Sequence, residues 1–263
     1  DLLGLGALVA LGTADIGLHG RGRRERTARD VVDHLGGDVP VGPEHGQAGT
    51  LGGAAHRLAH AAVAPDADKY TARTALQREN GYFIRALPGA KTDFPVQACL
   101  YIGQEGLIQD VHNVVVVEEG AELNVITGCA TDPKVKKGMH IGVSEFFVKK
   151  GGKLTFTMIH KWGEEVAVRP RTGVVVEEGG LFLSNYISLK TVKDLQMYPS
   201  VRLGKDAVAR LNSILVAPPA SYMDVGGRVS LEAPGARAEI IARAISEVFT
   251  DGSVTSMFED DRV

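Results

Sequence analysis

Cysteine is scarce in this sequence. Only Cys99 and Cys129 occur among 263 residues. That is too few for a disulfide framework, and it fits a reducing compartment, the cytoplasm, where thiols stay available for metal or sulfur chemistry. Excess positive charge is lacking as well. The formal net charge is −3, so there is no basic field of the kind that holds a polyanion, and nucleic acid is not an expected partner. Long apolar runs are missing too. The stretch from Leu2 to Gly12 is short, broken by glycine and preceded by no positive charge, so neither a signal peptide nor a membrane span is expected.

Aromatic side chains are absent from residues 1–69, and the basic residues there are all Arg until Lys69. A stretch without aromatic anchors is poorly equipped to build its own core, so Leu2 to Ala64 is expected to be partly helical, loosely packed or disordered. Five of the eight histidines fall in it: His19, His34, His45, His56 and His60. His56 and His60 have the i, i+4 spacing that places two imidazoles on one helical face, as in a metal site. The intervening residues lack the Glu of a zinc protease motif and no third ligand is evident, so the pair is read as non-ligating. The chain also starts on Asp1 rather than Met and is expected to be a fragment whose first residues say little about function.

What is abundant is glycine, with 32 residues, in a chain that is 44% hydrophobic. This points to turn-rich β structure and to a sizeable core. From Gly81 onward, short apolar runs alternate with glycine corners at Gly89, Gly120, Gly151, Gly179, Gly204 and Gly235, spaced 31, 31, 28, 25 and 31 residues apart. The flanking runs read as strands: Val114 to Val117 and Leu123 to Ile126, Val143 to Val148 and Leu154 to Ile159, Val174 to Val176 and Leu181 to Ile187. Glycine supplies the positive φ of a sharp corner, and alternate residues point inward. One coil cannot cover its own apolar face, so coils must stack and their strands pair in parallel. The expected fold is all-β, a parallel β-helix or stacked β-solenoid over residues 67–246, with a poorly structured or partly helical segment over 1–66 and an acidic tail over 247–263. An antiparallel sandwich with hairpins at the same corners is the competing architecture.

Several segments carry a resemblance. They are Tyr82-Phe-Ile-Arg-Ala-Leu-Pro-Gly89, Val111-His-Asn-Val114 leading to Ile126-Thr-Gly-Cys-Ala130, and Met139-His-Ile-Gly-Val-Ser-Glu145, extended by Leu195-Gln-Met-Tyr-Pro199 and Leu231-Glu-Ala-Pro-Gly-Ala-Arg-Ala-Glu239. Together and in this order they resemble the β-helix core of the SufB/SufD family, its archaeal members above all. The resemblance implies a scaffold on which sulfide and iron join into a transient iron–sulfur cluster. It also implies a SufC-type ATPase and a second SufB/SufD chain as partners, in a homo- or heterodimer, and a cysteine desulfurase as sulfur source.

By the same resemblance, Cys129 matches the SufB cysteine at which persulfide sulfur arrives. A thiol suits that role, because a thiolate is both a nucleophile and a soft ligand for iron. Otherwise Cys129 is a small buried hydrophobe, and Cys99 is read that way. Trp162 matches a tryptophan lining the SufB interior passage, His160 stands where the family has an amide, and Arg171 falls close to a family lysine. His160 can hydrogen-bond or join Cys129 as an iron ligand, or it can satisfy a core hydrogen bond. Tyr101 and Gly103 stand where SufB carries arginine and asparagine, a departure that moves the chain toward SufD or a combined archaeal form. His112 and His140 are read as structural, since one residue of register decides which face each takes.

Past Ala242-Arg-Ala-Ile-Ser246 the resemblance ends. The expectation is an incomplete, fused or frame-shifted version of the gene, whose uncapped solenoid end is covered by the odd termini or by a second copy. Three function classes follow: a non-enzymatic assembly scaffold, a β-helix polysaccharide lyase or hydrolase, and a truncated structural module without activity. The lyase needs clustered carboxylates, whereas Glu118-Glu119 and Glu177-Glu178 sit at corners.

Overall fold

Residues 8–9, 58–77, 80–92, 94–188, 192–216 and 221–244 are described by a computed structural model. Fifteen strands and one helix, α1 (Lys69–Gln77), are described. The first sheet has the order β1-β3-β5-β7-β9-β12-β15, where β1 is Leu8–Val9, β3 Val96–Ile102, β5 Glu122–Thr131, β7 Lys153–Lys161, β9 Leu181–Ser188, β12 Val208–Leu215 and β15 Arg237–Ala244. The second runs β13-β10-β8-β6-β4-β2, where β2 is Phe83–Ala86, β4 Ile108–Val117, β6 Lys137–Val148, β8 Glu165–Val176, β10 Asp194–Met197 and β13 Tyr222–Val225. In each sheet the chain moves to the neighbouring strand only after visiting the other sheet, and every pairing is parallel. This is the expected stacked solenoid, and the antiparallel alternative is gone.

Corners hold the stack together. Gly89, Gly120, Gly151, Gly179 and Gly235 adopt φ between 63° and 77°, the left-handed region that L side chains resist. Each of the first four donates its N–H to the corner one coil on, Gly120 to the Lys150 carbonyl and Gly151 to that of Glu178 among them. Gly204 departs from the expected pattern. The left-handed residue of that corner is Asp206, φ 56°, whose N–H continues the ladder to the Pro234 carbonyl. Counted on Asp206, the last two intervals become 27 and 29 residues, and the repeat is more regular than glycine alone suggests.

Alternation places Val96, Ala98, Leu100 and Ile102 of β3 and Leu123, Val125 and Cys129 of β5 inside, in one core with Val115, Val117, Phe146 and Val148 from the facing sheet. Where β8 is continuous, its neighbour breaks into β10 and β11 (Ser200–Leu203), with Tyr198 and Pro199 between them. A proline has no N–H for the ladder. Arg169 and Arg171 compensate at this break by donating to the carbonyls of Asp194 and Gln196.

The outer face of the second sheet is covered. Residues 58–77 cross it as a strap, with Leu58 and Ala62 packed on Val114, Val116 and Phe147. Gly173 lets the strap come close, since a Cβ there would lie 2.4 Å from the Ala62 carbonyl oxygen. Asp68 caps α1 by accepting from the N–H groups of Tyr70 and Thr71, while its other oxygen takes the Arg171 guanidinium at 2.5 Å. Residues 58–66, expected to be loosely packed, thus lie against the solenoid. Apart from Leu8–Val9, which pair with β3, residues 1–57 of the expected N-terminal segment, His56 among them, and the tail 247–263 lie outside the described residues.

Candidate functional site

Register brings the predicted thiol and imidazole together. Cys129 on β5 pairs with Leu100 on one side and His160 of β7 on the other, and all three face the interior. The next inward column is Ala98, Thr127, Met158 and Tyr186. Paired strands lie about 4.8 Å apart, so same-face neighbours are in contact range. Cys129 is 1% exposed and His160 3%.

His160 is fixed by Tyr186, whose hydroxyl lies 2.8 Å from Nδ1. Nε2 of His160 and Nε1 of Trp162 are buried with no hydrogen-bond partner among the described residues. Unpaired buried polar atoms are costly, and each calls for a partner such as an ordered water or an ion. Trp162 closes this end of the coil. Its ring centroid lies 5.4 Å from that of His160 and 4.8 Å from that of His140. His140 comes from the opposite sheet, with Nδ1 2.9 Å from Oε1 of Gln109. Room for its ring is made by Gly142, where a Cβ would fall 2.7 Å from Nε2 of His140. On the other side of Cys129, the Tyr82 hydroxyl meets Thr127 at 3.1 Å.

Burial denies charge to every member of this set. It raises the Cys129 thiol, and Cys99 adds to the shift. It pushes His140 down to about 3. His160 falls well below the ordinary imidazole range through burial, with His140 adding its repulsion. The phenols of Tyr82 and Tyr186 rise for the same reason, and both feel Cys129 nearby. The resting site is therefore a neutral thiol beside neutral imidazoles. An incoming cation would supply the counter-charge that desolvation withholds from the thiolate.

Beyond Tyr186 the interior is not filled. A cavity of about 40 Å³ lies between the sheets, lined by Phe146, Met158, Thr172, Ser184 and Ser213 among others, which is room for a small polar species.

Arg171, grouped with these residues by resemblance, lies on the outer face of β8, against Asp68 and the Tyr70 ring. Cys99 points outward from β3, half-buried, opposite Gly128, so the two thiols sit on opposite faces of the first sheet. His112 also faces outward, with Nε2 2.6 Å from Oε1 of Glu145. Tyr186 and His140 are the members that sequence reasoning did not assign. Their signal was alternation, which puts Tyr186 inward 26 residues after His160. The corner carboxylates do not converge: Glu118 pairs with Arg85, Glu177 with Lys149 and Glu178 with Lys150.

The fold and this site define a parallel β-solenoid protein with a thiol, imidazoles and an indole sealed between its sheets. Residues 100–256 match the SUF system FeS cluster assembly, SufBD core domain. Over 182 residues the chain is 54% identical to an iron-sulfur cluster assembly SufBD family protein of Archaeoglobus fulgidus, covering 69% of this chain and 49% of that protein. It is 48% identical over 191 residues to one of Methanothermobacter thermautotrophicus, covering 71% and 47%. The iron-sulfur cluster assembly protein SufB of Bacillus subtilis is 28% identical over 189 residues, covering 70% and 40%. The chain belongs to the SufBD core family, and membership supports a role in iron–sulfur cluster assembly. It spans about half the length of the archaeal relatives. None of the described helices is long and apolar enough to cross a membrane.

Proposed function

We propose that this chain is a scaffold component of iron–sulfur cluster assembly, non-enzymatic in itself and acting in the cytoplasm. Its core over residues 67–246 holds Cys129, His160 and Trp162 as the sulfur- and iron-handling set. One observation carries the reading: an enclosed thiol stands in register with an imidazole whose Nε2 has no hydrogen-bond partner among the described residues. Cys129 is the soft ligand and the acceptor of sulfur, His160 the borderline nitrogen ligand beside it, and Trp162 the wall that keeps water out. Ferrous iron and sulfide are cargo here, and a transient cluster is the product.

Deprotonation of Cys129 is tied to the arrival of charge. A divalent ion displaces the thiol proton, and His160 meets the ion through Nε2 when its hydrogen is on Nδ1, directed to the Tyr186 oxygen. In the same reading, a SufC-type ATPase, a second SufB/SufD chain and a cysteine desulfurase are the partners. Arg171 has a different task, since its guanidinium fastens the strap through Asp68.

Anaerobic incubation with ferrous iron, sulfide and reductant tests this. A visible sulfur-to-iron charge-transfer absorbance is expected in the native protein, lost in Cys129→Ser and kept in Cys99→Ser. Equal absorbance in native protein and Cys129→Ser would refute the assignment.

A further inference from the structure

A second group of metal-competent side chains lies outside the solenoid, under the strap, and the cluster-handling site does not use it. His60 from the strap, His112 from β4 and Glu145 from β6 each offer one ligand atom, and these atoms all lie within 4.8 Å of one another. We propose that they form a binding site for one divalent ion of the zinc class, which staples the strap to the second sheet.

Three features of the geometry support this. The first is dryness: Glu145 is 0% exposed and His112 2%. The second is that backbone N–H groups of the strap and the His112 ring hold the carboxylate in place. Glu145 accepts from the backbone N–H groups of His60, Ala62 and Val63, at 2.5, 2.6 and 3.1 Å, and meets Nε2 of His112 at 2.6 Å. These contacts fill the four acceptor positions of a carboxylate, so anchoring the strap does not require a second imidazole. One is nevertheless placed there, its ring centroid 4.7 Å from that of His112. The third is that His60 holds a left-handed backbone, φ 66°, which costs energy in a residue other than glycine and turns its side chain toward the pair.

Two imidazoles and a carboxylate with one position left open make a donor set suited to zinc, and one ill suited to the all-oxygen preferences of magnesium or calcium. Ligand atoms around a tetrahedral ion stand roughly 3.3 Å apart, so the ion enters as the His112–Glu145 pair opens from 2.6 Å and the His60 ring turns in, both by side-chain rotation. The ion takes the position now occupied by the hydrogen between His112 and Glu145, and that hydrogen passes to Nδ1 of His112 or to solvent.

Three elements meet at this point, one of them the strap, so the ion would fix the strap's docking. The test is titration of the full chain, stripped with a chelator, with zinc and with cobalt as a spectroscopic probe. In Cys129→Ser, where the interior site lacks its thiol, one ion per chain is expected, with the visible cobalt band of a low-coordinate nitrogen–oxygen site. His60→Asn keeps the N–H to Glu145, and asparagine tolerates φ above zero. That variant is expected to keep the native circular dichroism, to lose more than about tenfold in zinc affinity, and to lose zinc protection of residues 58–77 against limited proteolysis. Nitrogen-15 shifts of the His60 and His112 rings on adding zinc give the same answer in the unmodified protein. Unchanged affinity in His60→Asn, or ring shifts confined to His140 and His160, overturns the proposal. Cys129→Ser is expected to bind zinc here as tightly as the native chain does, which separates this site from the interior one.

Discussion

His160 faces Cys129 across one rung of the first sheet, and the Tyr186 hydroxyl holds its Nδ1 from the following coil at 2.8 Å. Truncating the imidazole therefore strands a buried hydroxyl. His160→Leu is expected to destabilise the fold by about 1–3 kcal/mol in urea unfolding. Adding Tyr186→Phe removes the stranded group and is expected to recover part of that loss. If the double variant lost as much as the two single changes summed, the two side chains would not be coupled.

The two thiols differ in accessibility, not only in position. Cys99 is half-buried on the outer face, whereas Cys129 is sealed inside with its thiol raised by burial. Alkylation of the native protein is expected to modify Cys99 first and Cys129 only as fast as the solenoid opens. In denaturant the two react alike. Equal native rates would contradict the enclosed position of Cys129.

Acid destabilises this core in a defined window. His140 titrates near 3 in the fold against an ordinary 6.5, so the unfolded chain takes up the proton first and stability falls as pH drops from about 6.5 toward 3. His160 acts in the same direction. Glu145 does too: burial would raise its carboxyl, but His112 and the three strap N–H groups more than offset that and hold it below its ordinary value. Stability from Glu145 is present above the ordinary carboxylate range and lost as pH falls through the depressed value. His140→Gln is expected to flatten the profile between about pH 6.5 and 4, read from the urea midpoint at each pH. An unaltered slope would mean that His140 carries no buried proton deficit.

Corner positions separate backbone strain from crowding. A Cβ on Gly120 meets nothing within 4 Å, yet its φ is +66°, so Gly120→Ala is expected to cost roughly 1–2 kcal/mol through strain alone. Gly81→Ala is expected to cost more, because its Cβ would lie 1.9 Å from the His112 carbonyl oxygen. Asp206→Gly removes strain at an equivalent corner and is expected to leave thermal stability level or improved.

These residues also show what sequence reading reached. Solenoid architecture was legible because corner spacing implies stacked coils, whereas Cys129 and His160 were named together through the family resemblance. Asp206 escaped notice because an aspartate was standing in a glycine's conformation. Arg171 was grouped with the interior set because it falls close to a family lysine, whereas alternation turns it outward to Asp68. The strap's first part, up to Ala64, was read as partly helical, loosely packed or disordered for want of aromatic anchors. What fastens it is a carboxylate 82 to 85 residues away, a contact with no local signature.

The central claim is that Cys129 and His160 take hold of iron together, and a double-mutant cycle tests it most directly. Anaerobic ferrous iron binding would be measured in a His60→Asn background, so that the site under the strap stays silent, for Cys129→Ser, His160→Asn and the two combined. The account predicts that each single change removes most of the affinity and that the second adds little to the first. Iron affinity undiminished by either change, or losses that simply add, would contradict it.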